Sequence, residues 1–337
     1  EKFMNRSDEK KVQEKPVKIA ILEGSSLGAD MDFSPFYELG EVAFYPKISP
    51  EEMPERVRNV DIIIANKLPM CAATLEQAEK LKLICLTATG INNLDGDYLV
   101  SRGIRACNVA GYSTGAVAQH TFALLLYVWE KLRYYDDYIK SGEYSRSSTF
   151  SHYAEKFYEL EGKTWGIIGM GAIGRKVARI AETFGCRILC YSASGTKYDF
   201  PEQNWKQTDF DTLLEESDII SIHAPLNRYT ENLINLDALR KMKKTAVLVN
   251  VARGPIVNEE DLYTALVENE IAGAALDVLK EEPMAPDNPL LKIQDSKKLI
   301  ITPHMAWAPV ETRTRCRDEV AENIKAFLAG KDRNRVY

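Results

Sequence analysis

The stretch Thr164-Trp-Gly-Ile-Ile-Gly-Met-Gly-Ala-Ile-Gly174 decides how this chain is read. An apolar run ends in Gly169-x-Gly171-x-x-Gly174, and Val177, Ile180, Ala181 and Phe184 then recur at i, i+3, i+4 and i+7. That spacing puts one apolar face on a helix. Gly185 closes the helix, and Cys186–Tyr191 reads as a second strand. Strand, glycine loop, helix and strand within about thirty residues form the context in which this spacing implies dinucleotide binding rather than an ordinary tight turn. Gly169 allows the turn, Gly171 lets backbone approach a pyrophosphate, and Gly174 permits close packing of helix on strand. The helix start, at Ala172 and Ile173, adds unpaired N–H groups and the positive end of its dipole.

Downstream, Trp165–Gly169, Arg187–Tyr191, Ile219–His223, Ala246–Asn250, Ala274–Val278 and Leu299–Thr302 read as six parallel strands, the count of a doubly wound nucleotide-binding sheet. Upstream, Lys18–Glu23, Val42–Tyr45, Asp61–Asn66, Leu83–Thr89 and Ile104–Asn108 are short apolar runs, with helical patterns at Thr74–Leu81 and Leu94–Arg102. This alternation predicts a second, smaller α/β domain. Thr114 to Ser141 reads as one long helix whose first half is buried, and Gly142–Phe157 as a polar, aromatic excursion. A final helix at Val310–Leu328 is expected to return to the first domain, since the glycine-loop series already has its strands.

A chain of 337 residues is long for one core, so two domains are the default. An apolar content of 45% and a charged content of 27% are those of an ordinary globular protein. A net charge of −6 gives no electrostatic footprint for nucleic acid. The richest apolar run, Phe122–Trp129, is too short to cross a bilayer and is flanked by His120 and Glu130. Residues 1–16 are strongly charged and read as a disordered or added extension, with no secretory signal. The six cysteines lie mostly in apolar strand patterns, and Cys186 and Cys190 have a poor spacing for metal ligation. Reduced thiols, no metal site and a cytoplasmic location are the expectation.

Three stretches fall at strand ends, where open α/β sheets face their ligand crevice: Asn250-Val-Ala-Arg253-Gly254, Asp277-Val-Leu-Lys-Glu-Glu282-Pro283 and Thr302-Pro-His304. Taken singly, each has a bland reading. Arg253 could be a surface ion pair, Glu281 and Glu282 a solvated turn, and His304 a capping residue. Together they supply a cation, carboxylates and an imidazole on one rim. With these motifs the chain, from about residue 17 to 337, resembles the D-isomer-specific 2-hydroxyacid dehydrogenases. Ala65-Asn-Lys-Leu-Pro69, Ala88-Thr-Gly-Ile-Asn-Asn93, Gly111-Tyr-Ser-Thr114, Val117-Ala-Gln-His120 and Pro303-His-Met-Ala-Trp307 make it most similar to the bacterial glycerate dehydrogenases, or hydroxypyruvate reductases.

The resemblance implies an NAD(P)-binding Rossmann domain at 111–304 inserted in a flavodoxin-like substrate domain at 17–110 and 305–337, with a homodimer as the assembly. It implies hydride transfer between a nicotinamide coenzyme and C2 of a small 2-oxo or 2-hydroxy acid, with glycerate and hydroxypyruvate first among them. His304 fits the proton donor, because imidazole exchanges protons near neutral pH. The family places Glu282 against its far ring nitrogen, fixing the tautomer. Arg253 has the planar fork that binds a carboxylate and can polarise the 2-oxo oxygen. Backbone N–H groups at Thr89 and Gly90 form the second carboxylate clamp, with Lys67 and Trp307 as further candidate substrate contacts. His223, Ala224 and Pro225 are expected on the adenosine side of the coenzyme, and Val251, Ala252, Arg253, Asp277 and His304 along the rest of it. Other readings of the same motifs are 3-phosphoglycerate or another D-2-hydroxyacid as substrate, or a dinucleotide-sensing interaction protein without catalysis.

NAD-specific fingerprints place an acid about twenty residues past the glycines, on the ribose 2′-hydroxyl. Here that position is Ser192, followed by Ser194, Thr196 and Lys197. Loss of the acid removes the repulsion that excludes a 2′-phosphate. NAD(H) with usable NADP(H) is therefore the expectation.

Overall fold

The computed structural model describes residues 16–200 and 204–337, so the extension expected at the N-terminus lies, up to residue 15, outside the described residues. Two compact units are present. One takes in the described chain up to Tyr112 and resumes at Val310–Tyr337, and the other is Ser113–Pro309.

In the first unit β1 (Lys18–Ile21), β2 (Glu41–Phe44), β3 (Ile62–Ala65), β4 (Leu83–Leu86) and β5 (Arg105–Cys107) form a parallel sheet of order β2-β1-β3-β4-β5. This is the flavodoxin-like doubly wound order. The central strands β3 and β4 are buried at every position, as strands covered on both faces must be. The helices expected at Thr74–Leu81 and Leu94–Arg102 are shorter, at Ala72–Leu75 and Gly96–Ser101. The second starts late because the Asp95 carboxylate accepts the Tyr98 N–H and caps it. The C-terminal helix Val310–Leu328 packs on this sheet's elements, with the Asn323 amide donating to the Asn108 carbonyl at 3.1 Å.

In the second unit β6 (Thr164–Ile168), β7 (Arg187–Tyr191), β8 (Lys206–Gln207), β9 (Ile219–Ile222), β10 (Val247–Asn250), β11 (Gly273–Leu276) and β12 (Leu299–Ile301) form a parallel sheet of order β12-β11-β10-β9-β6-β7-β8. The winding reverses between β6 and β9, the switch point at which such sheets bind nucleotides. Six strands were expected. The seventh, β8, has only two polar residues and carries no alternation to read. The helix Thr114–Trp129 packs Val117, Leu125 and Val128 into the core, so close to β11 that a Cβ on Gly273 would stand 2.7 Å from Val128 Cγ1.

The stretch from Thr114 to Ser141, expected as a single helix, is not one. It is two helices, Thr114–Trp129 and Leu132–Lys140, separated at Lys131, which has φ 57°. The Lys131 ammonium donates to the Lys297 carbonyl at 3.0 Å, and burial lowers its pKa from the ordinary lysine value. No residue of the second helix is buried, so packing gives it no reason to continue the first.

Candidate active site

The glycine loop joins β6 to the helix Ala172–Thr183. Gly169 has φ 93°, a left-handed conformation that favours glycine, and a Cβ there would meet the Ala224 nitrogen at 2.7 Å. A Cβ on Gly174 would overlap the Gly169 carbonyl oxygen, so Gly174 lets the helix close on the loop as well as on the strand. Gly171, by contrast, faces open space, and as N-cap it leaves the first N–H groups of the helix without a side-chain acceptor. An open glycine cradle ahead of an uncapped twelve-residue helix fits a dinucleotide's pyrophosphate.

At the end of β7, Ser192 is buried at 7% exposure. Its hydroxyl accepts the Thr196 N–H at 3.0 Å and lies 3.3 Å from Ser194 Oγ, which is 3.0 Å from Thr196 Oγ1. The hydroxyl is thus built into its own turn, beside a pocket lined by Lys197, Lys206, Gln207 and Thr208. Across the switch point, Ser221 Oγ accepts the Trp165 indole N–H at 2.8 Å and lies 2.9 Å from His223 Nε2. His223 Nδ1 is buried with no partner among the described residues, and burial lowers this imidazole's pKa to about 3. Ala224 is buried and Pro225 exposed.

The three motif stretches follow β10, β11 and β12, which are neighbours in the sheet. At about 4.8 Å per strand, their ends lie within roughly 10 Å of one another. Asn250, fully buried, accepts the Ala252 N–H at 3.0 Å and donates to the Arg253 carbonyl at 2.9 Å. This braces the turn that carries Arg253. Val251 in that turn is buried and Ala252 half-buried. Arg253 Nη1 donates to the Ala252 carbonyl at 2.7 Å, and the next residue, Gly254, touches the Leu279 backbone so closely that any Cβ would overlap it. The Arg253 and Glu282 turns therefore meet main chain to main chain.

Glu282 is held at both oxygens. Oε1 accepts the Leu279 N–H at 2.9 Å, and Oε2 lies 2.7 Å from His304 Nδ1. The carboxylate can only accept, so the ring donates from Nδ1 and keeps Nε2 for exchange. His304 itself has φ 51°. Its N–H donates to the Asp277 carbonyl at 2.8 Å, and the Asp277 carboxylate accepts the N–H groups of Met305 and Ala306. Asp277, expected along the coenzyme, is 1% exposed with its carboxylate turned to these donors. Trp307 follows, half-buried.

The remaining sequence candidates belong to the first unit. Thr89 and Gly90 follow β4, with Thr89 Oγ1 donating to the Val109 carbonyl at 2.8 Å and its own carbonyl accepting the Asn108 amide at 2.7 Å. Lys67 follows β3, and its backbone N–H donates to the Glu23 carboxylate at 2.9 Å. Three participants carried no role in the sequence reading. Asn250 and Thr302 were visible only as the first residues of their motifs, and His120 sits 157 residues away from Asp277, which it approaches at 3.4 Å.

Residues 122–306 match the family model described as D-isomer specific 2-hydroxyacid dehydrogenase, NAD binding domain. A hydroxypyruvate reductase of Blautia hydrogenotrophica is 35% identical over 327 residues, covering 95% of this chain and 99% of that protein. A glycerate dehydrogenase of Methylorubrum extorquens is 35% identical over 320 residues, covering 95% and 98%. Among solved structures, an acyclic imino acid reductase in complex with NADPH and D-Arg superposes with a TM-score of 0.81 at 30% identity, over 95% of this chain and all of that one.

Proposed function

Because the chain belongs to the D-isomer specific 2-hydroxyacid dehydrogenase family, we propose that it interconverts hydroxypyruvate and D-glycerate at the rim carrying His304. It is a dehydrogenase that uses a nicotinamide coenzyme, and that coenzyme supplies or accepts the hydride at C2 of the substrate. His304 gives a proton to the C2 oxygen from Nε2 as the oxo acid is reduced, and takes it back in the reverse direction. Glu282 keeps Nδ1–H engaged, so that Nε2 is the exchanging atom. Arg253 binds the substrate carboxylate and polarises the 2-oxo oxygen. In this reading Thr89 and Gly90 offer backbone N–H groups to the substrate carboxylate, and Lys67 and Trp307 are further substrate contacts.

The observation that carries the reading is the 2.7 Å contact between His304 Nδ1 and Glu282, made in a chain that matches two proteins of this named activity over 95% of its length. A dinucleotide-sensing protein has no need of that pair. The test is a panel of hydroxypyruvate, glyoxylate, pyruvate and branched-chain 2-oxo acids with each reduced coenzyme. Hydroxypyruvate should give the highest kcat/KM. A preference for any other acid by tenfold would overturn the substrate, and no turnover at all would overturn the reaction.

For the coenzyme, we extend the proposal to both NADH and NADPH, since Ser192 offers a hydroxyl tied into its own turn where an excluding carboxylate would stand. A kcat/KM for NADH a thousandfold above that for NADPH would refute this. The segment after Lys131 exposes Ile139, Phe150, Tyr153 and Phe157, which supports a homodimer, to be tested by sedimentation equilibrium. All six cysteines are free, in keeping with a cytoplasmic setting, and among the described residues no helix is long and apolar enough to cross a membrane.

A further inference from the structure

We propose that His120 and Thr302 are positioning residues for the reaction, acting through Asp277 on the turn that bears His304. The inference rests on the reading of His304 as the proton-transfer group.

One residue holds three consecutive backbone N–H groups. The Asp277 carbonyl accepts from His304 at 2.8 Å, Oδ1 from Met305 at 2.9 Å and Oδ2 from Ala306 at 2.8 Å. These bonds span the residue with φ 51°, a conformation that persists only where its surroundings over-determine it. The Asp277 carboxylate therefore fixes the backbone just past His304, from which the ring reaches Glu282.

That carboxylate is itself aimed from behind. The Thr302 hydroxyl donates to Asp277 Oδ1 at 2.5 Å, which uses its one proton. The 3.0 Å contact between Thr302 Oγ1 and His120 Nε2 must then be donated by the imidazole, and the same nitrogen lies 3.4 Å from Asp277 Oδ1. Every bond in the chain points toward one buried anion. Burial alone would raise the Asp277 carboxyl, but hydrogen bonds from His120, Thr302, Ala306 and Met305 outweigh it and hold the group below the usual carboxylate range. His120 is carried by the helix Thr114–Trp129, whose following residues Thr121, Leu124 and Leu125 are buried. The backbone just past the catalytic ring is in this way referred back to a core helix.

The experiment compares Thr302→Val, Thr302→Ser, His120→Leu and His120→Gln with the wild type in full-length enzyme. Steady-state kinetics with hydroxypyruvate and the NMR signals of the His304 ring are the readouts. Thr302→Val and His120→Leu should each lower kcat by about tenfold to a hundredfold with coenzyme KM within about twofold, the scale on which small misplacement acts. Thr302→Ser keeps the hydroxyl and His120→Gln keeps a donor near the Nε2 position, so both should stay within about threefold of wild type. The His304 signals should shift in Thr302→Val and not in Thr302→Ser. A purely structural role would lower thermal stability without this split and without rescue by the conservative pair. Wild-type kcat in Thr302→Val and His120→Leu, failure of the conservative variants to rescue, or unmoved His304 signals in Thr302→Val would overturn the proposal. If the wild type itself turns over no 2-oxo acid, the functional reading fails, and the NMR comparison still decides whether this network sets the ring.

Discussion

Glu282 Oε2 lies 2.7 Å from His304 Nδ1 while Oε1 of the same carboxylate accepts the Leu279 N–H at 2.9 Å. Both partners are donors, so the site requires an acceptor at each oxygen. Glu282→Gln breaks that symmetry, because one end of an amide is itself a donor. The amide must either oppose the Leu279 N–H or make Nδ1 an acceptor, which disfavours the doubly protonated ring that gives its proton from Nε2. The expected outcome is a fall in kcat/KM for hydroxypyruvate of about a hundredfold or more, the low end of what a positioned proton-transfer system contributes. Steady-state kinetics within threefold of wild type would show the contact to be incidental.

The φ of 51° at His304 separates chemistry from backbone strain. Asparagine tolerates this region, whereas a β-branched residue does not. His304→Asn and His304→Val should both lose about a hundredfold or more in kcat, since neither can exchange the proton. Only His304→Val should also lose stability, by about 1–3 kcal/mol. Urea midpoints of the two variants give the comparison.

At Gly254 the prediction concerns packing. A Cβ there would overlap the Leu279 backbone, and a main-chain neighbour cannot swing aside as a side chain can. Gly254→Ala should cost about 1–3 kcal/mol, the usual penalty of overpacking. Activity should fall with it, because the Arg253 and Glu282 turns separate. An unchanged denaturation midpoint would mean that these turns are not in the contact described.

Ser192 governs the 2′ position in the proposed coenzyme reading. Ser192→Asp places an anion where a 2′-phosphate would come, and kcat/KM for NADPH should fall by about a hundredfold, in line with a like-charge cost of several kcal/mol. The value for NADH should hold or improve. Equal effects on the two coenzymes would place the 2′ group elsewhere.

His223 links burial to pH. Its pKa is lowered from 6.5 to about 3 by burial, so the folded chain keeps it neutral where the unfolded chain takes up a proton. The stability this group contributes is fully present above about pH 6.5 and declines as pH falls toward about 3. His223→Gln removes the titrating group, and its melting temperature should fall less steeply than wild type over that range. Parallel curves for the two proteins would refute the assignment.

The parts of this molecule that were legible beforehand are those written in short-range pattern. Strands β6, β7 and β9 to β12 show as apolar runs, and the glycine loop shows as spacing, because each is dictated by neighbours in sequence. Where long-range contacts decide, the residues are silent. Nothing near Lys131 marks the end of a helix, since its carbonyl partner is Lys297, and the two-residue β8 exists only by pairing with β7. The same holds in the site. Glu282 and His304 could be paired through family motifs, but the route from His120 through Thr302 to Asp277 crosses three elements with no shared period. Asn250 announced its position and not its task of bracing the Arg253 turn.

The meeting of Gly254 with Leu279 limits how this chain can change over generations. Drift usually works by exchanging one side chain for another of similar shape, and here there is none to exchange. The spacing between the guanidinium and the carboxylate turns is inherited as backbone, beyond the reach of gradual repacking. Under the proposed function, residues elsewhere around the substrate can be substituted without disturbing the spacing on which proton transfer relies.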